Sequence, residues 1–584
     1  MLKKLSRYIG EYKKITIITP ILMVLEVAFE VVIPFLMGHI IDDGIQGNNG
    51  KGDMTYVIKI GLLMMCMALM SLLFGALGAI FACKASAGFE KNLRRGLMSK
   101  VQQFSFANID RFSTASLVTR MTTDVTNVQM AFQMIIRICF RAPIMLISAL
   151  VMAMMTNLKL SLVFVCVIVL LGAALAAIVA NAFPRFRYVF EKYDGVNAGV
   201  QENLTGIRVV KAYVREDHEI KKFHKASEFL YKRFASAEKI VALNGPAMNL
   251  AIYACMIGIF WFGASIIVNS GGVDMQVGQL STFMVYTMNI LMNLMMISMI
   301  FVMLTMAKTS GERIVEVLDE EIDLTQPEDP VKEMKDGEIV FDHVNFSYSK
   351  NPDILNLEDI NVTIPSGSVV GVIGGTGAGK SSFVQLIPRL YDVTGGSVRV
   401  GGVDVREYDL NTLRDKVSMV LQKNVLFYGT IADNLRWGNE NATEEQMKAA
   451  CESAQIREFV ESLPDGYQSH VEQGGTNFSG GQKQRLCIAR ALLKEPKVLI
   501  LDDSTSAVDT KTDAAIRRAF REYIPDVTKI IIAQRISSVA DADMIIVLDE
   551  GKINDVGTHE QLLQRNDIYR EVYDSQMRGA DFDG

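Results

Sequence analysis

The chain has 584 residues, of which half are apolar and 21% are charged, and its mean hydropathy is positive at +0.23. These values exclude a disordered chain and a fibrous repeat, and they argue against a single soluble globule. Charge is uneven: residues 1–320 hold 31 basic and 22 acidic side chains, whereas residues 321–584 hold 28 and 43. A basic, apolar half followed by an acidic half is typical of a membrane domain joined to a cytoplasmic one.

Six apolar windows are each long enough to cross a bilayer core of about 30 Å as a helix. They lie near 15–37, 58–81, 132–155, 158–183, 243–268 and 277–304, within a transmembrane domain predicted at 1–318. An even number of spans places both termini on one side. Lys and Arg collect in 84–137 and 184–243, so these segments and both termini are predicted to be cytoplasmic. Because both segments are long, we expect spans two to five to extend into the cytoplasm and end in short helices.

Glutamate, methionine and asparagine side chains inside the spans are the candidates that could line a substrate cavity. Glu26 and Glu30 lie four residues apart on one face of the first span, and a carboxylate at membrane depth indicates function. The alternative is that they face a neighbouring helix or a water-filled cavity and serve packing or gating. A methionine-rich stripe in the last span suits a surface that accepts many shapes, although such stripes are more often core or lipid contact. The candidates from that stripe are Met288, Asn289, Met292, Asn293 and Met296.

The seven cysteines form no C-x-x-C pair, and their number is odd. That pattern argues against a disulfide framework and against a zinc site. We expect them to be small buried hydrophobic residues in a reducing or membrane setting.

After a linker at 319–335, strands alternate with helices over 336–584, which predicts an α/β domain with a parallel sheet. A buried-strand run at 369–373 leads into a complete G-x-x-x-x-G-K-[ST] loop, in which backbone N–H groups and a helix N-terminus receive phosphates. Lys380 is expected to reach the terminal phosphates, and Ser381 to bind magnesium. The loop comprises Gly374, Gly375, Thr376, Gly377, Ala378, Gly379, Lys380, Ser381 and Ser382.

Two further features accompany this P-loop. A second apolar strand, 498–501, ends in Asp502, where a carboxylate would hold or orient the magnesium. Between the two strands, Ser479, Gly480, Gly481 and Gln482 stand at the start of a helix. A hydroxyl and backbone donors at a helix start form another anion site, which a single P-loop does not need.

The order of six spans, P-loop, Ser-Gly-Gly-Gln signature and acidic strand resembles an ATP-binding cassette (ABC) half-transporter of the multidrug exporter type, over essentially the whole chain. The resemblance implies ATP and Mg²⁺ as cofactors, Tyr348 stacked on adenine, and Gln422 at the magnesium. It implies a head-to-tail dimer in which each ATP lies between one chain's P-loop and the other's signature, with Asp509 in the loop that crosses the interface. The segments 112–125 and 202–214 resemble the two internal coupling segments.

Two positions depart from the family pattern, and both belong to the hydrolytic site. The family places a glutamate after Asp502 as general base, where this chain has the shorter Asp503; it places a switch histidine where this chain has Gln534. An amide cannot carry a proton as imidazole can, and loss of a well-placed base costs roughly a hundredfold or more in rate. The sequence therefore predicts a degenerate site in a heterodimer whose second half-transporter keeps both residues. A homodimer that tolerates Asp503 and Gln534 is the alternative.

The leading interpretation is ATP-driven export of hydrophobic or amphiphilic small molecules across a bacterial plasma membrane. A lipid or peptide cargo fits the same architecture, and Glu26 and Glu30 favour cationic amphiphiles only weakly. A nucleotide-gated regulatory or sensor subunit is the interpretation from a different class. The expected partners are a second half-transporter, the bilayer and a small-molecule substrate. No nucleic-acid partner is predicted, because the basic residues follow membrane topology and form no single patch.

Overall fold

The computed structural model of the protein describes residues 1–47, 52–503 and 510–580. These residues form two compact units. The membrane unit contains residues 1–103 and 113–320, and the nucleotide unit contains residues 104–112 and those from 321 onward. The short segment 104–112 thus joins the nucleotide unit although it lies far from 336–584 in the sequence.

Helices make up the membrane unit. In chain order they are α1 (Leu2–Leu5), α2 (Lys13–His39), α3 (Met54–Gln102), α5 (Thr114–Thr119), α6 (Val125–Thr156), α7 (Leu158–Thr205), α8 (Ile207–Ala212), α9 (Glu216–Val241), α10 (Asn244–Ser270) and α11 (Val277–Asp319), while α4 (Phe106–Arg111) belongs to the nucleotide unit. Among the described residues, six stretches are long and apolar enough to cross a membrane. The predicted number of six spans is confirmed.

Several of these helices are much longer than a span requires. At about 1.5 Å per residue, the 49 residues of α3 reach about 70 Å, more than twice the roughly 30 Å of a bilayer core. Asp53 caps the start of α3 by accepting hydrogen bonds from the N–H groups of Thr55 and Tyr56. Asn157 caps α7 through the N–H of Leu160, so that one residue separates α6 from α7.

The core of the membrane unit lies among α2, α6, α7, α10 and α11. Phe164 of α7 stacks on Phe283 of α11, with ring centroids 5.6 Å apart. The buried Tyr286 hydroxyl of α11 donates to the carbonyl of Val31 in α2 at 2.9 Å. Asp42, just beyond α2, accepts from the backbone N–H groups at the start of α11 and caps that helix. The first and last spans are therefore hydrogen-bonded at two levels, near Val31 and at Asp42.

The seven cysteines are free, and they are not all buried. Cys255, Cys451 and Cys487 are buried, whereas three others lie on exposed faces of the membrane helices α3 and α7. These three are Cys66, Cys83 and Cys166. The expectation of uniform burial was wrong because an apolar helix in a bilayer exposes small apolar side chains to lipid at no cost.

The nucleotide unit is built of strands and short helices. The strands are β1 (Ile339–Phe346), β2 (Leu357–Ile364), β3 (Val369–Gly374), β4 (Gly395–Val400), β5 (Val403–Asp404), β6 (Val417–Val420), β7 (Gly429–Thr430), β8 (His470–Val471), β9 (Val498–Asp502), β10 (Thr528–Ile532), β11 (Met544–Asp549) and β12 (Lys552–Gly557). The helices are α12 (Lys380–Gln385), α13 (Leu410–Lys416), α14 (Ile431–Arg436), α15 (Glu444–Ser453), α16 (Arg457–Ser462), α17 (Gly480–Leu492), α18 (Thr510–Tyr523), α19 (His559–Arg565) and α20 (Asp567–Ala580).

The predicted parallel sheet is confirmed. Its six strands run in the order β12-β11-β3-β10-β9-β6, and all neighbours are parallel except β12, which pairs antiparallel with β11. A separate antiparallel sheet, β2-β1-β4-β5, was not predicted. Alternating strands and helices indicate a parallel sheet, whereas the strands of this antiparallel sheet are joined mostly by loops. The pattern used for the prediction therefore could not reveal it.

Side chains alternate across the parallel sheet and supply two cores. Val498 and Ile500 of β9 lie in the core shared with the antiparallel sheet, whereas Leu499 and Leu501 lie in the core on the other face, with α15 and α17. Burial on both faces explains why β9 reads as a continuous apolar run. It also leaves only the strand ends free for polar chemistry.

Candidate nucleotide-binding site

Four chain segments leave the parallel sheet at the same edge. The P-loop follows β3, the acidic pair follows β9, Gln534 lies two residues beyond β10, and Gln422 lies two residues beyond β6. Since β3, β10, β9 and β6 are adjacent and parallel, their carboxyl ends place these groups together. Motifs that are separate in the sequence therefore form one site.

The P-loop joins β3 to α12 and requires glycine at two positions. Gly377 and Gly379 have φ of +85° and +90°, a conformation that L side chains rarely adopt. A Cβ at Gly379 would also come within 2.8 Å of the Leu357 side chain. No atom would lie within 4 Å of a Cβ at Gly375 or Gly377, so the loop is open on the side where phosphates bind.

Lys380 lies across the mouth of the P-loop. Its ammonium donates to the carbonyls of Gly374 and Gly375 at 2.8 Å each. Burial lowers the pKa of Lys380, and the nearby carboxylates Asp503 and Asp502 oppose that shift. A cation held by weak carbonyl acceptors is poised for a stronger anionic partner, which the phosphates of ATP would supply.

Ser381 and Asp502 form the candidate magnesium site. The Ser381 hydroxyl donates to Asp502 Oδ1 at 3.1 Å, and Asp502 is buried at the end of β9. Burial raises the pKa of Asp502, and the hydrogen bond from Ser381 lowers it in part. The described residues contain no group of three or more His, Cys, Asp or Glu side chains placed to hold a metal ion. One carboxylate and one hydroxyl nevertheless fit Mg²⁺, which binds few protein ligands when phosphates complete its shell.

Asp503 is held by a glutamine side chain. Gln534 Nε2 donates to Asp503 Oδ2 at 2.7 Å. Burial raises the pKa of Asp503. The side chains of Gln422 and Gln534 and the charge of Lys380 oppose that shift. Asp503 has a φ of +49°, a conformation that aspartate tolerates better than most residues. The two positions that depart from the family pattern are thus in direct contact.

Tyr348 lies beside the P-loop helix. Its hydroxyl is 2.9 Å from the Ser382 hydroxyl and donates to Gln385 at 3.1 Å. Its ring meets the Tyr391 ring edge-on at 5.0 Å, and 43% of the residue is exposed. An exposed aromatic face next to the phosphate loop suits the stacking of a base.

The signature begins α17. Ser479 and Gln482 form a capping box, in which the Ser479 N–H donates to Gln482 Oε1 at 2.9 Å and the Gln482 N–H donates to Ser479 Oγ at 3.3 Å. Ser479 and Gly480 are exposed, and Gly481 follows them in the first turn. This 13-residue helix presents its N-terminus to solvent. Asp509 lies outside the described residues.

The carboxylates of the first span bind an arginine that the sequence analysis overlooked. Arg141 of α6 lies 3.2 Å from Glu26 Oε1 and 2.8 Å from Glu30 Oε2. These pairs match the alternative in which the glutamates face a neighbouring helix. The signal was available, because Arg141 lies within the predicted span 132–155 and the rule for intramembrane charges applies to it equally.

The five candidates of the last span do not share one surface. Met288, Met292 and Met296 are four residues apart and exposed along one face of α11. Asn293 is buried, and its amide donates to the carbonyl of Asn289 at 2.7 Å. The structure therefore groups the methionines and separates Asn293 from them.

The segment that docks in the nucleotide unit precedes the predicted 112–125. In α4, Phe106 packs edge-on against Tyr391, and the Tyr391 hydroxyl donates to Asp110 Oδ2 at 2.6 Å. Asn108 donates to the carbonyl of Glu321 at 2.9 Å. These contacts place 104–112, immediately before the predicted 112–125, in the nucleotide unit.

Comparisons with known proteins agree with this architecture. The family model described as the ABC transporter transmembrane region matches residues 16–295, and the model described as ABC transporter matches residues 357–506. The ABC transporter ATP-binding protein YfiB of Bacillus subtilis (strain 168) is 36% identical over 99% of both chains. The probable multidrug resistance ABC transporter ATP-binding/permease protein YheI of the same organism is 30% identical over 99% of this chain and 98% of its own length.

Two further matches differ in kind. A fatty acid ABC transporter ATP-binding/permease protein of Mycobacterium bovis (strain ATCC BAA-935 / AF2122/97) is 32% identical over 82% of this chain and 75% of its own length. The solved structure of a bacterial Atm1-family ABC exporter with ATP bound superposes with a TM-score of 0.82 at 25% identity, covering 96% of this chain and 99% of that one.

Proposed function

The chain belongs to the ABC transporters, and from that premise we propose that it is the degenerate-site subunit of a heterodimeric exporter of hydrophobic or amphiphilic small molecules. Its fold is that of an ABC exporter half-transporter, with six spans followed by an ATPase domain. An ABC ATPase domain implies ATP hydrolysis coupled to transport. Half-transporters of this family typically dimerise and work in the bilayer.

The observation that carries the proposal is the contact between Asp503 and Gln534. A general base must accept a proton from the attacking water and must lie within hydrogen-bond reach of it. Here the Asp503 carboxylate accepts from the neutral amide of Gln534 at 2.7 Å. Aspartate is also one methylene shorter than glutamate, so its reach toward the attacking water is reduced.

Neither Gln422 nor Gln534 restores what the site lacks. An amide donates a hydrogen bond to a carboxylate or a phosphate, but it does not gain and release a proton near neutral pH. Gln534 can therefore orient an oxygen and cannot relay a proton. The parts that bind ATP are independent of these two residues: Lys380 faces the phosphate loop, and Ser381 and Asp502 would hold Mg²⁺, which supplies charge neutralisation when bound.

In the proposed heterodimer, a second half-transporter supplies the site that hydrolyses ATP efficiently. Ser479 and Gly480 stand exposed at the N-terminus of α17 and retain the signature. They would contact the ATP held by a partner whose own glutamate and histidine are intact. Two copies of this chain would combine two slow sites, which is a poor arrangement for a transport cycle.

One relative and the charges of the first span support a drug-type substrate. YheI is described as a probable multidrug resistance transporter, and Glu26, Arg141 and Glu30 together carry one net negative charge, which suits a cationic amphiphile. The fatty acid transporter of M. bovis supports lipid cargo as a second candidate. An apolar, methionine-rich face on α11 would serve either cargo.

The test is ATPase activity of the purified chain in lipid, measured alone and after co-expression with a candidate partner half-transporter. We expect low activity alone and high activity in the pair. In the pair, Glu→Gln at the partner's general base should abolish activity, while Asp503→Asn here should only reduce it. Robust activity of the chain alone, matched by no gain in the pair, would contradict the proposal.

A further inference from the structure

The loop that carries Gln534 is held from outside the nucleotide site by helix α20. Gln576 of α20 donates from Nε2 to the carbonyl of Gln534 at 2.8 Å, and its Oε1 accepts from the N–H of Ile536 at 2.9 Å. One side-chain amide thus hydrogen-bonds to the backbone groups on both sides of Arg535. Each arm of the amide has the polarity that its partner requires, so the orientation of the side chain is fixed.

Helix α20 is itself anchored to the unit. Tyr569 is fully buried, and its hydroxyl lies 2.8 Å from His559 Nδ1. Val572 and Tyr573 pack against the core that contains β9 and β10. Gln576 therefore extends from a fixed helix, and the loop it holds is restrained by the body of the unit.

The restraint reaches the reacting groups through one residue. Gln534 accepts from Gln576 with its carbonyl and donates to Asp503 Oδ2 with its side chain at 2.7 Å. Ile536 is buried beside this point, and Ser538 ends the loop by donating to Asp513 at 3.0 Å. A continuous path of hydrogen bonds therefore runs from Gln576 to Asp503, through Gln534.

We propose that Gln576 is a positioning residue for Asp503 and Gln534, a role that rests on the proposed function of this site. It sets the height of the Gln534 loop above the sheet edge and thereby the direction in which the Gln534 amide points. Gln576 is not one of the residues that would hold ATP. Its loss should lower the rate of hydrolysis and leave the affinity for ATP unchanged.

The first experiment measures the hydrogen bonds without nucleotide. In the full chain in lipid nanodiscs, Gln576→Met keeps the size of the side chain and removes both hydrogen bonds, whereas Gln576→Glu keeps an acceptor for the Ile536 N–H. Amide exchange at Ile536 should quicken about tenfold in the Met variant, as expected for one lost hydrogen bond, and stay slow in the Glu variant. Glu571→Met on an exposed position of α20 is the matched control. Unchanged exchange in Gln576→Met would overturn the proposal.

The second experiment separates positioning from general damage. Single-turnover hydrolysis by the chain alone should slow about tenfold in Gln576→Met, with the dissociation constant for Mg-ATP unchanged and the Tm lowered by only about 2–4 °C, as expected for lost hydrogen bonds. A joint fall in rate and affinity would overturn the proposal in favour of a merely structural contact. If the wild-type chain binds no ATP, the proposed function fails, while the nucleotide-free exchange result still decides whether Gln576 holds the loop.

Discussion

At the nucleotide site, acidic, basic and amide groups reach one point from four adjacent parallel strands, whereas in the membrane unit Glu26, Glu30 and Arg141 reach one another from two separate helices. The first arrangement is fixed by backbone register, so each group has a set place before any ligand binds. The second depends on how α2 and α6 pack. This difference explains why sequence motifs identify the nucleotide site. The charged cluster in the membrane unit can be recognised only because charged side chains are rare in apolar spans.

The largest effect on ATP binding is expected where a charge faces the phosphates. Lys380→Met should weaken Mg-ATP binding about tenfold to hundredfold, because hydrogen bonds to charged groups contribute about 1.5–3 kcal/mol. Binding of a fluorescent ATP analogue would measure it. Lys552→Met removes an exposed lysine that pairs with Glu358 and is the control. Equal losses in the two variants would contradict the assignment of Lys380.

In the membrane unit, the charges should matter for stability. Arg141→Met leaves Glu26 and Glu30 without their cation, and loss of one partner from a sequestered ion pair costs about 3 kcal/mol. Thermal unfolding in detergent would report the loss. The triple change that adds Glu26→Gln and Glu30→Gln should recover most of it. A failure to recover would show that Arg141 acts through contacts other than these two.

A smaller effect is expected at the docked segment α4. Tyr391→Phe removes the hydrogen bond to Asp110 and keeps the ring contact with Phe106, at a cost of about 1 kcal/mol. Amide exchange across α4 should quicken by up to about tenfold, with the rest of the nucleotide unit unaffected. Tyr523→Phe, on an exposed tyrosine of α18, should change nothing in α4.

The smallest effect concerns the charge of Asp502. Burial is the main cause that raises the pKa of Asp502. The folded protein therefore binds this proton more tightly than the unfolded chain does. The stability that the protonated group contributes is lost as pH rises through the folded pKa. Asp502→Asn should therefore raise the Tm of the nucleotide-free protein at pH 7.5 by about 2 °C, with a gain that shrinks toward acid pH. A gain that grows toward acid pH would show the opposite sign of shift.

Much of the nucleotide unit could be predicted because its signals are contiguous. The glycines at 377 and 379, Lys380 and Asp502 each follow an apolar strand, and parallel strands bring their carboxyl ends together. The contact between Asp503 and Gln534 was harder to predict, since the sequence shows two unusual residues but not the distance between them. The capping box of the signature likewise follows from local spacing alone.

The rest depends on packing, which periodicity does not determine. Arg141 lies inside an apolar window, and only the packing of α6 on α2 reveals that it reaches Glu26 and Glu30. The docking of α4 depends on Tyr391, nearly 300 residues away in the chain. Gln576 was equally invisible, because a glutamine on a polar helix carries no signal until its two backbone partners are known.

The central claim is that Asp503 and Gln534 together make this site slow, and single-turnover hydrolysis by the chain alone tests it most directly. Asp503→Glu and Gln534→His, made singly and together, restore the general base and the imidazole. We expect the double variant to be roughly a hundredfold faster than wild type, with each single variant well below it and the affinity for Mg-ATP unchanged. A double variant no faster than wild type would contradict the claim.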